Sequence, residues 1–221
     1  MQARKMSVAV VAVLVGLGWA APAVASVIMM QSSLEFSGET IPVGSPPWLT
    51  ATFQDIPSGS VQFTLFTTNL TANEFVSNYF FNLDPALAPG QLVFSAPTKV
   101  GSFDSPSIST GVDSFKADDD GYFDVNLGFR VSDGLSTRFT AGDSVSYTIS
   151  GIPGLSAWSF AFTSTHDGSP GIFSDAAHVQ GIGSGGLSGW VASSEIVEIV
   201  PEPTVLGLLA LGGLALIRRR R

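Results

Sequence analysis

The densest polar cluster in this 221-residue chain is Asp118-Asp119-Asp120-Gly121-Tyr122-Phe123-Asp124. Carboxylates crowded around a glycine turn can gather the several oxygens that calcium requires, which makes Asp118, Asp120 and Asp124 candidate calcium ligands. The same residues also suit a solvated hairpin turn leading into a strand at Phe123, and both readings stay open. The two histidines, His166 and His178, lie close in sequence to Asp167 and Asp175. They could serve zinc or a serine triad, but the chain has neither G-x-S-x-G nor H-E-x-x-H. A structural role for His178, bonded to loop carbonyls, is therefore expected. Gly181-x-Gly183-x-x-Gly186 has dinucleotide-fingerprint spacing, but strand-like Trp190-Val191-Ala192 follows where that fold needs a helix. No cysteine is present, so thiol catalysis and thiolate metal sites are excluded.

The acidic cluster partly resembles the EF-hand calcium loop, with Asp118, Asp120 and Gly121 in register. It departs where Lys116 takes the first position and Leu127 the twelfth, so an EF-hand is disfavoured and Asp124 must supply the extra carboxylate. Among the aromatics, Trp48 follows Pro46-Pro47 in a loop setting and is the candidate ligand-stacking side chain. Trp158 sits in an alternating run and is expected in the core. Paired carboxylates could hydrolyse glycosides, but sequence does not bring two of them to the required separation.

Period-two alternation builds the elements that position these groups. Phe123-Asp124-Val125-Asn126-Leu127-Gly128-Phe129-Arg130-Val131 puts five apolar residues on one face and polar residues or glycine on the other. Similar runs are Val61 to Leu65, Val145 to Ile149 and Trp158 to Phe162; weaker ones span Leu49 to Gln54, Asn78 to Phe81, Leu92 to Ser95 and Trp190 to Val200. About eight strands separated by Asp, Gly and Pro turns predict an all-β antiparallel sandwich of jelly-roll type. Thr71-Ala72-Asn73-Glu74 has the capping-box pattern and predicts one helical turn through Val76.

Charge is zoned. Six of the ten Lys and Arg lie at the two ends, and between Ser26 and Val200 four cations face 17 acids, a net charge of −13. Such a surface repels nucleic acid and anionic lipid and favours neutral partners or divalent cations. At the amino end, Arg4 and Lys5 precede the apolar run Val8 to Trp19, and Ala23-Val24-Ala25 gives a small-x-small pattern. Residues 1–25 therefore predict a signal peptide, cut by leader peptidase before Ser26. At the other end stand Pro201-Glu202-Pro203, an apolar run from Thr204 to Ile217, and Arg218, Arg219, Arg220 and Arg221. The arginines resist translocation and hold that end in the cytoplasm. The run of 14 residues makes about 21 Å of helix at ~1.5 Å per residue. A hydrocarbon core is ~30 Å thick, so a transient span fits better than a permanent anchor.

The tail resembles the PEP-CTERM sorting signal of bacterial exported proteins. That resemblance covers only residues 201–221 and implies recognition by an intramembrane exosortase, with cleavage near Pro201-Glu202-Pro203. It also implies delivery to the cell envelope or extracellular matrix and association with exopolysaccharide. The organisation expected is a leader at 1–25, an exported β-sandwich at 26–200, and a sorting signal with a transmembrane helix at 204–217. The function expected is that of a non-catalytic structural component without a resident cofactor, calcium apart. The alternatives are a carbohydrate-binding or calcium-dependent adhesion module, and a secreted hydrolase.

Overall fold

Alternating burial along the strands sorts their side chains into core and solvent rows. A computed structural model describes residues 25–71, 73–118, 120–132, 134–165 and 172–199. In chain order the strands are β1 (Val27–Ser32), β2 (Leu34–Glu35), β3 (Leu49–Ile56), β4 (Ser60–Phe66), β5 (Phe75–Phe81), β6 (Val93–Phe94) and β7 (Thr98–Val100). They continue with β8 (Ser107–Ala117), β9 (Asp120–Gly128), β10 (Phe139–Thr140), β11 (Ser144–Ser150), β12 (Asp175–Ile182), β13 (Leu187–Ser193) and β14 (Ile196–Ile199). Sheet A runs β14-β1-β3-β4-β11-β6, with β7 also on β11; sheet B runs β2-β13-β12-β5-β9-β8, with β10 on β5. Every pairing between these strands is antiparallel.

The fold is all-β, and its two sheets enclose one core in the manner of a β-sandwich. Sheet A contributes Ile28, Phe53, Phe63 and Tyr147; sheet B contributes Tyr79, Phe81, Val125 and Val191. A second cluster lies on the outer face of sheet B, where Phe80, Phe123, Ala176 and Ala192 pack with Phe36, Ala117 and Phe173. Phe123 thus departs from its expected row, since Val125 and Leu127 face the inter-sheet core. The β8 register shifts between Thr110 and Phe115, and the far half of the β8–β9 hairpin turns Phe115, Ala117 and Phe123 onto the outer cluster. Val131, expected at the end of that row, is exposed.

Two further expectations are corrected. Glu74 does close the turn at Thr71, accepting the Thr71 N–H at 2.6 Å while its own N–H reaches the Thr71 carbonyl at 2.9 Å. No helical turn continues to Val76, because β5 begins at Phe75 and pairs with β10 and β12. Trp158 to Phe162 is not a strand either: Ala157–Phe160 is a 3-10 turn. No helix among the described residues is long and apolar enough to cross a membrane. The leader through Val24, and the expected helix at 204–217, lie outside the described residues.

One register brings the first and last described strands together. β1 pairs Val27 with Ile199 of β14, so the chain enters and leaves the sandwich side by side.

Candidate functional site

The 3-10 turn Ala157–Phe160 builds one wall of a groove. Ser156 and Ser159 form a reciprocal capping box, and Asp55 Oδ1 accepts the Ala157 N–H at 2.6 Å. With three residues per turn, Ala157 and Phe160 face the same way. Both are buried, and Phe160 stacks on Phe53 with ring centroids 4.6 Å apart. Trp158 is left pointing outward, 44 % exposed. The opposite wall is the exit of β5, where the Asp84 N–H donates to the Ser159 carbonyl at 2.7 Å. Asp84 Oδ1 accepts the Ala86 N–H at 2.8 Å, which fixes its carboxylate at the rim. The groove between the walls has a volume of about 490 Å³ and is lined by Asp84, Leu87, Ser156, Trp158, Ser159 and Phe162 among others.

A smaller cavity of about 110 Å³ adjoins it through Leu87 and Phe162. Asn82, Asp113, Asp124 and Thr165 supply its polar wall. Asp124 is buried there, accepting the Asp113 N–H at 2.8 Å and the Leu83 N–H at 3.0 Å. Its own N–H donates to Asn82 Oδ1 at 3.1 Å, and Asn82 Nδ2 has no partner among the described residues. Asp113, with φ of +46°, accepts the Thr165 hydroxyl at 2.6 Å. Together these bonds fasten the bulge of β8 to the end of β5.

Comparison with family models, with curated proteins and with solved structures finds no match to this chain.

The residues singled out by sequence are dispersed. Asp118 is exposed at the tip of the β8–β9 hairpin with φ of +51°. Asp120 opens β9, and Asp124 lies four residues further along the strand, about 13 Å at ~3.3 Å per residue. Asp124 therefore fastens backbone N–H groups at a distance from the tip. Among the described residues no group of three or more His, Asp or Glu side chains gathers to hold a metal. Trp48 was expected to be exposed and is 3 % exposed, its indole N–H donating to the Gly44 carbonyl at 2.6 Å. The loop around Pro46-Pro47 folds the indole inward, because Leu49 continues at once into β3, so its ring faces the inter-sheet core. It is Trp158 that presents an indole to solvent. Ser156, a residue type favoured at N-caps, stands at the start of the turn.

His178 lies on the outer face of sheet B, its ring stacked on Trp190 at 4.6 Å and 14°. Its Nδ1 is 2.9 Å from the Ser77 hydroxyl and 3.2 Å from the Gln180 amide nitrogen. With Gln180 donating, Nδ1 is an acceptor and the ring proton sits on Nε2. Burial holds the imidazole below its ordinary value, and the charges of Glu39 and Asp118 partly offset that. Gly181, with φ of +73°, lets the β12–β13 hairpin approach Asn73: a Cβ there would stand 2.3 Å from the Asn73 carbonyl oxygen. The glycine spacing thus serves a hairpin. Ala25 and Ser26 are described; Ala23, His166, Pro201, Glu202, Pro203 and Arg218 to Arg221 lie outside the described residues.

Proposed function

We propose that this chain is an exported, non-catalytic β-sandwich component of the bacterial cell envelope or extracellular matrix. Its leader is removed before Ser26, and an exosortase sorts it through Pro201-Glu202-Pro203 with Arg218 to Arg221 as the stop-transfer block. The residue pattern of the two ends supports this reading, and so does the pairing of Val27 with Ile199. Two hydrophobic segments leaving one end of a domain can both enter the same bilayer without distorting it. The jelly-roll description belongs to the same proposal and is supported by the chain's repeated crossing between sheets, from β1 to β2 and from β4 to β5.

Within that setting the protein associates with neutral polysaccharide through the Trp158 groove. The outward indole carries this reading: it offers a flat apolar face for the C–H face of a sugar ring. Asp84 and Ser156 at the rim can bond hydroxyl groups, and a net charge of −13 between Ser26 and Val200 disfavours anionic glycans. Two experiments test the two halves. Replacing Pro201-Glu202-Pro203 with alanines leaves a larger, membrane-retained species, and unchanged processing contradicts the sorting assignment. On a glycan array the processed chain binds neutral saccharides and its Trp158→Ala variant does not; equal binding by both removes the groove from the account.

A further inference from the structure

We infer that Asp55 is the receptor for the α-ammonium group that leader removal creates at Ser26. This rests on the export reading and adds to it a defined end state for the processed chain. Ser26 sits just before β1, and the strand ladder places it. The Asp55 N–H donates to the Ser26 carbonyl at 2.9 Å, and the Ser26 N–H points back to Asp55 Oδ2 at 3.3 Å. The other carboxylate oxygen is engaged by the Ala157 N–H at 2.6 Å, which orients the group and leaves Oδ2 facing Ser26.

The cut changes the chemistry of this contact. Water adds to the Ala25 carbonyl carbon, the C–N bond breaks, Ala25 leaves as a carboxylate, and the Ser26 nitrogen departs as –NH₃⁺. The neutral amide donor of a long hydrogen bond to a carboxylate thereby becomes a cationic one, and the contact becomes an ion pair, since an α-amino group ordinarily titrates at about 7.7–8.0 and is charged at neutral pH. Charge-assisted bonds of this kind are shorter and stronger than neutral ones. Position matters, because a cut one residue earlier would carry the ammonium group up to about 3.8 Å away along the backbone. Asp55 then links three elements: the new amino terminus, the end of β3, and the 3-10 turn that presents Trp158.

The titratable groups on the strands flanking the start of β1 are Asp55 on β3 and Glu198 on β14, which is exposed opposite Ile28; the 3-10 turn has none. The test uses the full chain, exported and processed by its host and then purified. Its first residue is read by Edman degradation, and its α-amine is ¹³C-methylated and titrated by NMR. The expected result is Ser26 first, with an α-amine titrating a few tenths of a pH unit to one unit above the same protein in urea. That elevation is lost in Asp55→Asn and kept in Glu198→Gln. Because the urea comparison needs no variant, a misfolded Asp55→Asn does not blunt the test. Ser26 first with equal titration in the native protein and in urea overturns the inference alone. A different first residue overturns the leader assignment and the inference with it.

Discussion

Sheet A and sheet B differ in how many faces they bury. In sheet A, β4 and β11 alternate buried and half-buried residues along almost their whole length. The outer face of sheet A carries hydroxyl pairs such as Thr64 with Ser146 at 2.8 Å. In sheet B, β5 and β12 are buried on both sides along much of their length. The inner row of sheet B faces sheet A, and the outer row packs under Phe36 and the β8–β9 hairpin. A wet outer face lets polar cross-strand pairs finish the sheet. A dry outer face needs a roof, which loops and a long hairpin here supply.

The largest test of this contrast is Phe53→Ala. Phe53 has no exposed surface and meets Phe63, Phe81 and Phe160 with centroids between 4.6 and 5.2 Å. Emptying that position should cost ~3–5 kcal/mol in urea unfolding. A loss under ~1 kcal/mol would mean that the inter-sheet core is not where the stability lies.

Next comes the one carboxylate fully buried on the inner side of β12. Asp175 accepts the Tyr79 hydroxyl at 2.8 Å, the Ser193 N–H at 2.6 Å and the Ser32 hydroxyl at 3.2 Å, joining β12, β5 and β13 of sheet B to β1 of sheet A. Burial pushes its carboxyl from 3.8 up to about 6, outweighing the three hydrogen bonds that favour the anion. Burial first, and the Asp175 charge second, hold the Tyr79 phenol well above its ordinary value. Between pH 4 and 6 the folded form keeps a proton that the unfolded form has lost. The contribution is thus full below pH 4 and declines as pH rises through 6. Relative to Asp175→Asn, the native chain should gain up to ~3 kcal/mol between pH 7 and pH 4. A difference in urea midpoint that stays flat across that range contradicts the placement of this acid.

The same contrast governs what sequence could reveal. Val61 to Leu65 and Val145 to Ile149 belong to sheet A, whose single buried face imprints a period of two, and both runs match β4 and β11. Asp175-Ala176-Ala177-His178 shows no such period, because Ala176 serves the outer cluster and Ala177 the inter-sheet core. β8 was equally illegible: most of its residues are exposed or half-exposed, and a bulge breaks its register. At the candidate site, Asp124 was visible as a carboxylate but not as a fastener, since its partners Leu83 and Asp113 come from other segments. Trp48 and Trp158 exchanged places because alternation, read without the Ser156-x-x-Ser159 cap, mistook a 3-10 turn for a strand.

Trp190→Ala probes the roofed face at lower amplitude. The indole is half-buried, stacked 5.7 Å from Phe80 and 4.6 Å from His178. Removing it should cost ~1–2 kcal/mol, less than Phe53→Ala. An equal loss would make the outer cluster a second core of the same rank.

His178 and Asp175 set the two faces of one strand against each other. His178 points outward from β12, and burial lowers its affinity for a proton. The unfolded chain therefore takes up the proton first as pH falls below about 6.5, so this contribution is present above that pH and lost below it. Protonating Nδ1 would also turn the acceptor used by Gln180 into a donor. The ring is only half-buried, so solvent screening should keep the penalty smaller than the Asp175 effect. Asp175, three residues earlier on the same strand and on its inner face, acts with the opposite sign over an overlapping window. The native chain should accordingly show a shallower pH dependence than His178→Gln near pH 5–6. Asp175→Asn should lose stability on acidification, and His178→Gln should gain it more steeply than the native chain. Parallel pH profiles for the native chain and His178→Gln would show that the outer face does not oppose the inner one.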